Sequence, residues 1–309
     1  MIYTITLNPA IDYFITVSDQ PLIDTEVNRA LKEKFQVGGK GLNVSTMLDK
    51  LDIPSVAIAL VGGFTGEYIK ECLSESNNIS LKAIEASGIN RINVKVYNGD
   101  NTICINGNGV SATTQTKTDL LNALEGITNN DWVLICGSLV ENIDYEFIGE
   151  LVEVIHSKQA RLVMDMESLT LDLLEKYKPY LVKPNLYEFR MLMGDDSITV
   201  DTISPYLNDL LNIGVESVLV SLGPDGAILS TPKTKYRLRH KPINAVNKIG
   251  SGDAMLATYV GMLSQDKHIG GALAWAGAAG VAMATTREEV TYQMIKESLS
   301  LLEVYEVKS

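Results

Sequence analysis

The chain has 309 residues, 46% hydrophobic and 21% charged, room for one large α/β domain with a small appended piece. A net charge of −12 argues against a nucleic-acid partner and reads as solubility, since a phosphate ligand needs only a local cluster of donors. Three scattered cysteines (Cys72, Cys104, Cys136) and three distant histidines (His156, His240, His268) lack metal-ligand spacing and suit a reducing cytoplasm.

In chain order, Met1-Ile2-Tyr3-Thr4-Ile5-Thr6 reads as a first strand, not as a basic, apolar leader. Residues 12–17 alternate like a short strand. Leu42, Met47, Leu48 and Leu51 predict a helix over 41–51, and another is expected over 66–73. Residues 91–97 and 102–105 alternate again, parted by the turn signal Asn98-Gly99-Asp100. From Trp132 a strand–helix rhythm sets in. Strand 132–136 ends in Gly137, and helix 145–155 follows. Strand 161–164 ends in Asp165, strand 180–182 in Lys183-Pro184-Asn185, and strand 218–220 in Ser221-Leu222-Gly223. The Gly- and Ala-rich stretch 270–284 is too short to span a bilayer and is expected to be a packed internal helix, with no membrane partner.

This alternation predicts an α/β fold with a mostly parallel central sheet flanked by helices. Ligands bind beyond the carboxyl ends of such strands, where polar residues recur here; one polar strand end is only a turn, but four in succession suggest a site. The short strands, drawn from about 12–30 and 91–107, are expected to form a small β-lid over that edge, all within one domain of residues 1–309. A lid would keep water from a reactive phosphate.

Two glycine strings carry the chemistry. Asn247-Lys248-Ile249-Gly250-Ser251-Gly252-Asp253-Ala254 runs into a helix expected over 255–263. Small residues let the backbone approach a ligand, and the helix start offers free N–H groups, so Gly250, Ser251 and Gly252 form a candidate anion site. Asp253 is then either a first-turn acid that stabilises the helix or a base that takes a proton from an attacking hydroxyl. Val37-Gly38-Gly39-Lys40-Gly41-Leu42-Asn43-Val44 is neither a Walker loop nor a dinucleotide fingerprint. It either turns the chain or holds a sugar hydroxyl or phosphate through Lys40 and Asn43.

Both strings resemble the signature regions of the ribokinase-like, or phosphofructokinase B, sugar kinase family, and the resemblance runs over essentially the whole chain. Thr6-Leu7-Asn8-Pro9-Ala10-Ile11-Asp12 resembles the opening of its sugar-phosphate branch, which includes 1-phosphofructokinases and tagatose-6-phosphate kinases. Gly62-Gly63-Phe64-Thr65-Gly66-Glu67-Tyr68-Ile69-Lys70 and Arg91-Ile92-Asn93-Val94-Lys95 look most like bacterial 1-phosphofructokinases. Gly137-Ser138-Leu139, Lys183-Pro184-Asn185 with Glu188, and Ser221-Leu222-Gly223-Pro224-Asp225-Gly226 follow in the family's order.

The resemblance implies ATP-dependent phosphorylation of a ketose phosphate to a 1,6-bisphosphate, with fructose 1-phosphate the expected acceptor. Tagatose 6-phosphate is the alternative, and a non-catalytic sugar-phosphate sensor stands behind both. Asp253 matches the catalytic base, with Gly250, Ser251 and Gly252 as its anion hole. Asp12, Gly39, Lys40 and Asn43 match the sugar site; Arg91, Lys95 and Ser138 match the region holding the substrate's own phosphate. Lys183, Asn185, Ser221, Gly223 and Gly226 match the ATP side, and Glu188 an acid linked to Mg2+ through water. Residues 278–280 either pack near the adenine or only pack helices together. Three positions depart from the pattern: Ala254 for a Ser, Val140 for a Pro, and Asp165-Met166-Glu167-Ser168 for a small, Ser-rich string. A homodimer through the lid's edge strands is a further expectation.

Overall fold

The computed structural model describes residues 1–18, 27–99, 101–247 and 249–307, so part of the expected lid segment 12–30 lies outside the described residues. The chain opens with β1 (Ile2–Thr6), β2 (Ala10–Val17), β3 (Lys32–Gly38), α1 (Lys40–Lys50), β4 (Ser55–Val61), α2 (Gly63–Ser74) and β5 (Ile79–Glu85). The strands β6 (Arg91–Asn98) and β7 (Asn101–Ile105) lead to α3 (Thr114–Asn122). The alternating half then runs β8 (Trp132–Gly137), α4 (Tyr145–Ser157), β9 (Arg161–Met166), α5 (Leu171–Tyr177), β10 (Leu181–Val182), α6 (Leu186–Met193), α7 (Ser204–Asn212) and β11 (Val218–Ser221). Last come β12 (Ala227–Ser230), β13 (Lys235–His240), α8 (Ser251–Ser264), α9 (Ile269–Ala284), α10 (Tyr292–Ser298) and β14 (Leu302–Glu306).

The large sheet has the order β14-β13-β12-β11-β10-β9-β8-β1-β4-β5. From β5 to β11 every neighbour is parallel, and the last three strands are antiparallel. Strand β8 shows why its centre is a continuous apolar run. Val133 and Ile135 enter the core shared with α3 to α7, while Trp132, Leu134 and Cys136 enter the core shared with α1 and α8 to α10. A strand buried on both faces has no polar side to show. β1 lies between β4 and β8, so the chain leaves it toward opposite sides, and the cleft beyond its carboxyl end is where such sheets place ligands.

The small sheet has the order β3-β2-β6-β7, with β2 and β6 parallel and the outer pairs antiparallel. Strand β3 was not anticipated: it begins at Lys32, beyond the expected lid segment, because its sequence Lys-Glu-Lys-Phe-Gln-Val-Gly gains strand order from pairing with β2 and carries little pattern of its own. One face carries Asp12, Asn93 and Lys95 toward the body. The other carries Phe35, Tyr13, Val94 and Ile105 in one row across all four strands, with the Tyr13 and Phe35 rings stacked 4.4 Å apart. Helix α9 is internal as expected, and no helix among the described residues is long and apolar enough to cross a membrane.

The lid strand β6 is rooted by Asn90. This side chain is fully buried; its Oδ1 accepts from the Gly62 N–H and its Nδ2 donates to the Leu60 carbonyl, both at 2.9 Å. Truncation strands a buried donor and a buried acceptor, each worth about 1–3 kcal/mol. Asn90→Ala is therefore expected to lose about 2–4 kcal/mol, read as a lower urea midpoint with an unchanged slope.

Candidate active site

Helix α8 starts earlier than its apolar pattern suggests, at Ser251, which puts Asp253 in its first turn. The N-cap is Gly250 at φ +80°, a left-handed conformation that glycine adopts without a Cβ clash. No side chain caps this end, and the first N–H groups of a helix have no intrahelical partner, so residues 251–253 present donors to the cleft. The preceding segment is strapped down: Val246 and Asn247 N–H groups reach the Ala284 carbonyl at 2.9 and 3.0 Å, and Asn247 Oδ1 accepts from the Ile249 N–H at 3.0 Å.

Asp253 Oδ2 accepts from Asn43 Nδ2 at 2.7 Å, which joins the two glycine strings across the cleft. The residue keeps a partly open face, yet protein packs closely round the carboxyl itself. Burial, aided by the Asp165 carboxylate, pushes Asp253 up to about 6, against the pull of the Asn43 hydrogen bond and of Lys183 and Lys40.

Next to it lies a buried charge network. Asp165, at the end of β9, faces Lys40 Nζ through Oδ1 at 3.0 Å and Lys183 Nζ through Oδ2 at 3.2 Å; the second contact is an ion pair without hydrogen-bond alignment. Burial works against its charge, but the two ammonium groups win and hold the carboxyl below its usual range. Lys40 also faces Glu188 Oε1 at 3.5 Å. Burial lowers its affinity for a proton, but Asp165, Glu188 and Asp253 outweigh that and raise it. Gly252 abuts this cluster, since a Cβ there would lie 3.2 Å from Lys183 Nζ.

Asn185 and Glu188 form a capping box at the start of α6: Asn185 Oδ1 accepts from the Glu188 N–H at 2.9 Å, and Glu188 Oε2 accepts from the Asn185 N–H at 2.8 Å. Glu188 is thus no free surface acid; one oxygen caps and the other faces Lys40. Ser221 lies beside this turn, its N–H on the Pro184 carbonyl at 3.1 Å, while Gly223 and Gly226 form the next turn outward.

On the lid side, the Asp12 carboxylate is held by Asn93 Nδ2 at 2.9 Å and by Lys95 Nζ. Lys95, expected with Arg91 at a phosphate, is engaged by Asp12, whereas Arg91 reaches back to the Asn8 carbonyl at 3.1 Å. The Arg91 Nε is buried without a partner, and no ion pair involves this guanidinium among the described residues. Burial lowers its pKa, against the attraction of Glu167 and Asp12. Ser138 sits opposite, its Oγ accepting from Asn8 Nδ2 at 3.2 Å. A cavity of about 520 Å³ opens under the lid, lined among others by Asp12, Asn43, Gly250 and Asp253 and by Lys34 and Arg287. Gly39, Arg91 and Ser138 lie outside its lining.

Sequence reading assigned no role to Asn8, Asn93 or Asp165. Asp165 was detectable: a carboxylate between Met164 and Met166 in an apolar strand must have buried partners. Asn93 shares a strand face with Lys95 two residues on. Asn8 gave no such signal, because its partners are distant in the chain.

The fold is that of the ribokinase-like carbohydrate kinases. Residues 5–294 match the model of the pfkB family carbohydrate kinases, and the chain belongs to that family. It is 33% identical over 304 residues to a 1-phosphofructokinase of Bacillus subtilis, covering 98% of this chain and 99% of that one. It is 34% identical to a D-tagatose-1-phosphate kinase of Bacillus licheniformis, covering 91% of each chain. The fold matches that of phosphofructokinase-2 from Escherichia coli in complex with fructose-6-phosphate, with a TM-score of 0.88, 24% identity, and 97% of this chain and 98% of that chain covered.

The raised Asp253 carboxyl predicts a pH-dependent cost. The folded state holds this proton more tightly than the unfolded chain, so folding is penalised above about pH 6 and the penalty fades as pH falls toward the ordinary 3.8. Asp253→Asn is expected to gain about 1–3 kcal/mol of stability at pH 7–8, with the gain vanishing near pH 4. Urea unfolding across that range checks this; a gain independent of pH would assign it to packing.

Proposed function

We propose that the protein transfers the γ-phosphate of ATP to the 6-hydroxyl of fructose 1-phosphate, giving fructose 1,6-bisphosphate, in one catalytic unit that spans the chain. The observation that carries this reading is Asp253 in the same helical turn as the donors of Gly250, Ser251 and Gly252, with its carboxylate held by Asn43. Asp253 takes the hydroxyl proton as the oxygen forms its bond to the γ-phosphorus and the bond to the ADP oxygen breaks. The helix N-terminus stabilises the charge on the transferring group. A carboxyl near 6 suits a general base, because it is ionised at neutral pH yet more basic than an exposed aspartate.

Lys183, with Asn185, Ser221, Gly223 and Gly226, would take the nucleotide, and Lys40 with Gly39, Asn43 and Asp12 the sugar. Arg91, a half-buried guanidinium with an unpartnered Nε, suits the acceptor's phosphate together with Ser138. Lys95 supports that end by holding Asp12. Among the described residues no group of three acids, histidines or cysteines is placed to hold a metal. Mg2+ would arrive on ATP and keep its water, Glu188 would hold that water, and the ion would neutralise phosphate charge. An ATP-consuming enzyme of this kind belongs in the cytoplasm.

The relatives refine the runner-up. One of them is named for tagatose 1-phosphate, and not for the 6-phosphate anticipated from the sequence. Tagatose 1-phosphate differs from fructose 1-phosphate only in the configuration at C4, so a hydrogen-bonding site must tell them apart. The experiment is an ATP-consumption assay over fructose 1-phosphate, tagatose 1-phosphate, tagatose 6-phosphate and fructose. The expected result is at least about tenfold higher kcat/KM on fructose 1-phosphate, and a loss of about 10²–10⁴ in turnover for Asp253→Asn. Preference for a tagatose phosphate would change the sugar alone; turnover by the folded Asp253→Asn protein would remove the base, and no turnover of any acceptor would favour a sensor.

The lid's outer face supports a homodimer. Phe35 and Ile105 are 52% and 62% exposed at the two ends of the apolar row through Tyr13 and Val94, and β7 is exposed throughout. A second copy would cover this face and the free edge. Sedimentation should give a dimer that Phe35→Glu converts to monomer; a monomeric parent protein would end this reading.

A further inference from the structure

Asn8 stands just beyond β1 and has no part in the scheme above. It is 6% exposed, and three segments meet on it. Its Nδ2 donates to the Asn108 carbonyl at 3.1 Å and to Ser138 Oγ at 3.2 Å, with the Leu139 carbonyl at 3.5 Å. Its own main-chain carbonyl accepts from Arg91 Nη2 at 3.1 Å. Two of the three groups around Nδ2 are carbonyls, which only accept, so the amide must turn its nitrogen toward them. Gly109, at φ +97°, closes on the other side; a Cβ there would come within 2.2 Å of Asn8 Oδ1.

We infer that Asn8 is a positioning residue that sets the grip on the acceptor's phosphate, an inference that rests on the proposed roles of Arg91 and Ser138. Two physical consequences follow from the geometry. The Ser138 oxygen accepts a hydrogen bond from Asn8, so its own hydroxyl proton is free to point to another group, and a phosphate is bound by donors. Arg91 anchors one nitrogen on the Asn8 carbonyl and keeps Nε and its remaining N–H groups for an anion. One residue thereby fixes the separation of both donors. Asn108 and Gly109 follow lid strand β7, so the same amide ties the lid's return segment to this grip.

The test is steady-state kinetics with fructose 1-phosphate and ATP varied separately. Asn8→Ala should raise the Michaelis constant for the sugar phosphate by about tenfold, with that for ATP changed by less than about twofold. Asn8→Asp keeps the shape but only accepts; it draws the Ser138 proton inward and places a like charge near the phosphate. Its expected rise is about 30-fold or more, and it carries the same readout should Asn8→Ala not fold. In a Ser138→Ala background the effect of Asn8→Ala should shrink to below about threefold, since Arg91 holds the Asn8 main chain, which the substitution leaves in place, and the side chain reaches the phosphate donors through Ser138. Sugar and ATP constants rising together, or an Asn8→Ala effect undiminished without Ser138, would overturn the inference. Arg91→Ala separates the two levels. If it leaves the sugar-phosphate constant unchanged, the phosphate assignment itself fails; if it raises that constant while the Asn8 variants do not, Asn8 alone is excluded.

Discussion

A carboxylate with almost no access to water, Asp165, sets the terms for everything at the carboxyl edge of the sheet. A buried charge survives only if it is paired, and each of its oxygens faces a lysine. Those two lysines come from different parts of the chain, Lys40 from the first residue of α1 after its glycine cap and Lys183 from just beyond β10. Their pairing therefore fixes the first glycine string against the carboxyl ends of β9 and β10. The same negative charge adds to the effect of burial on Asp253, so the group that holds the cations in place also makes its neighbour a stronger base.

The parallel sheet makes this concentration of charge feasible. Its strands are apolar through their length because both faces are covered, and polar residues can enter only where the strands end. β9 and β10 end side by side, so Asp165 and Lys183 meet without either having to cross the core. β1 adds Asn8 at its own end, on the way to lid strand β2 and beside β8, which leads to Ser138. The cleft thus lies beyond β1, whose two parallel neighbours β4 and β8 continue to opposite sides of the sheet, with the lid over it from β2 and β6.

Several residues have structural duties as well as the chemical ones proposed for them. Asn185 and Glu188 cap a helix, Asp12 satisfies Asn93 and Lys95, and Gly250 turns the chain into α8. Such sharing places reactive groups accurately, since a side chain already held by a cap or an ion pair has little freedom left to lose on binding. It also means that a change at one of these positions will act on stability and activity together, and the Asp253 carboxyl shows the opposing signs: its burial favours basicity and disfavours the folded state.

The sequence by itself determined the strand–helix rhythm, the buried strands and both glycine turns, because these rest on local periodicity and on backbone conformations that neighbouring residues dictate. The family motifs rest on short strings in a fixed order, so they too were legible without coordinates. Strand β3 was not, since its seven residues gain their order from β2. Nor was the division of labour between Arg91 and Lys95, which share a strand face but turn to Asn8 and Asp12 respectively. The contacts Asp165–Lys40 and Asn8–Ser138 span 125 and 130 positions of chain. Only the tertiary structure decided them, because a buried polar group takes whatever partner the folded topology brings within reach, and local sequence carries no record of that distance.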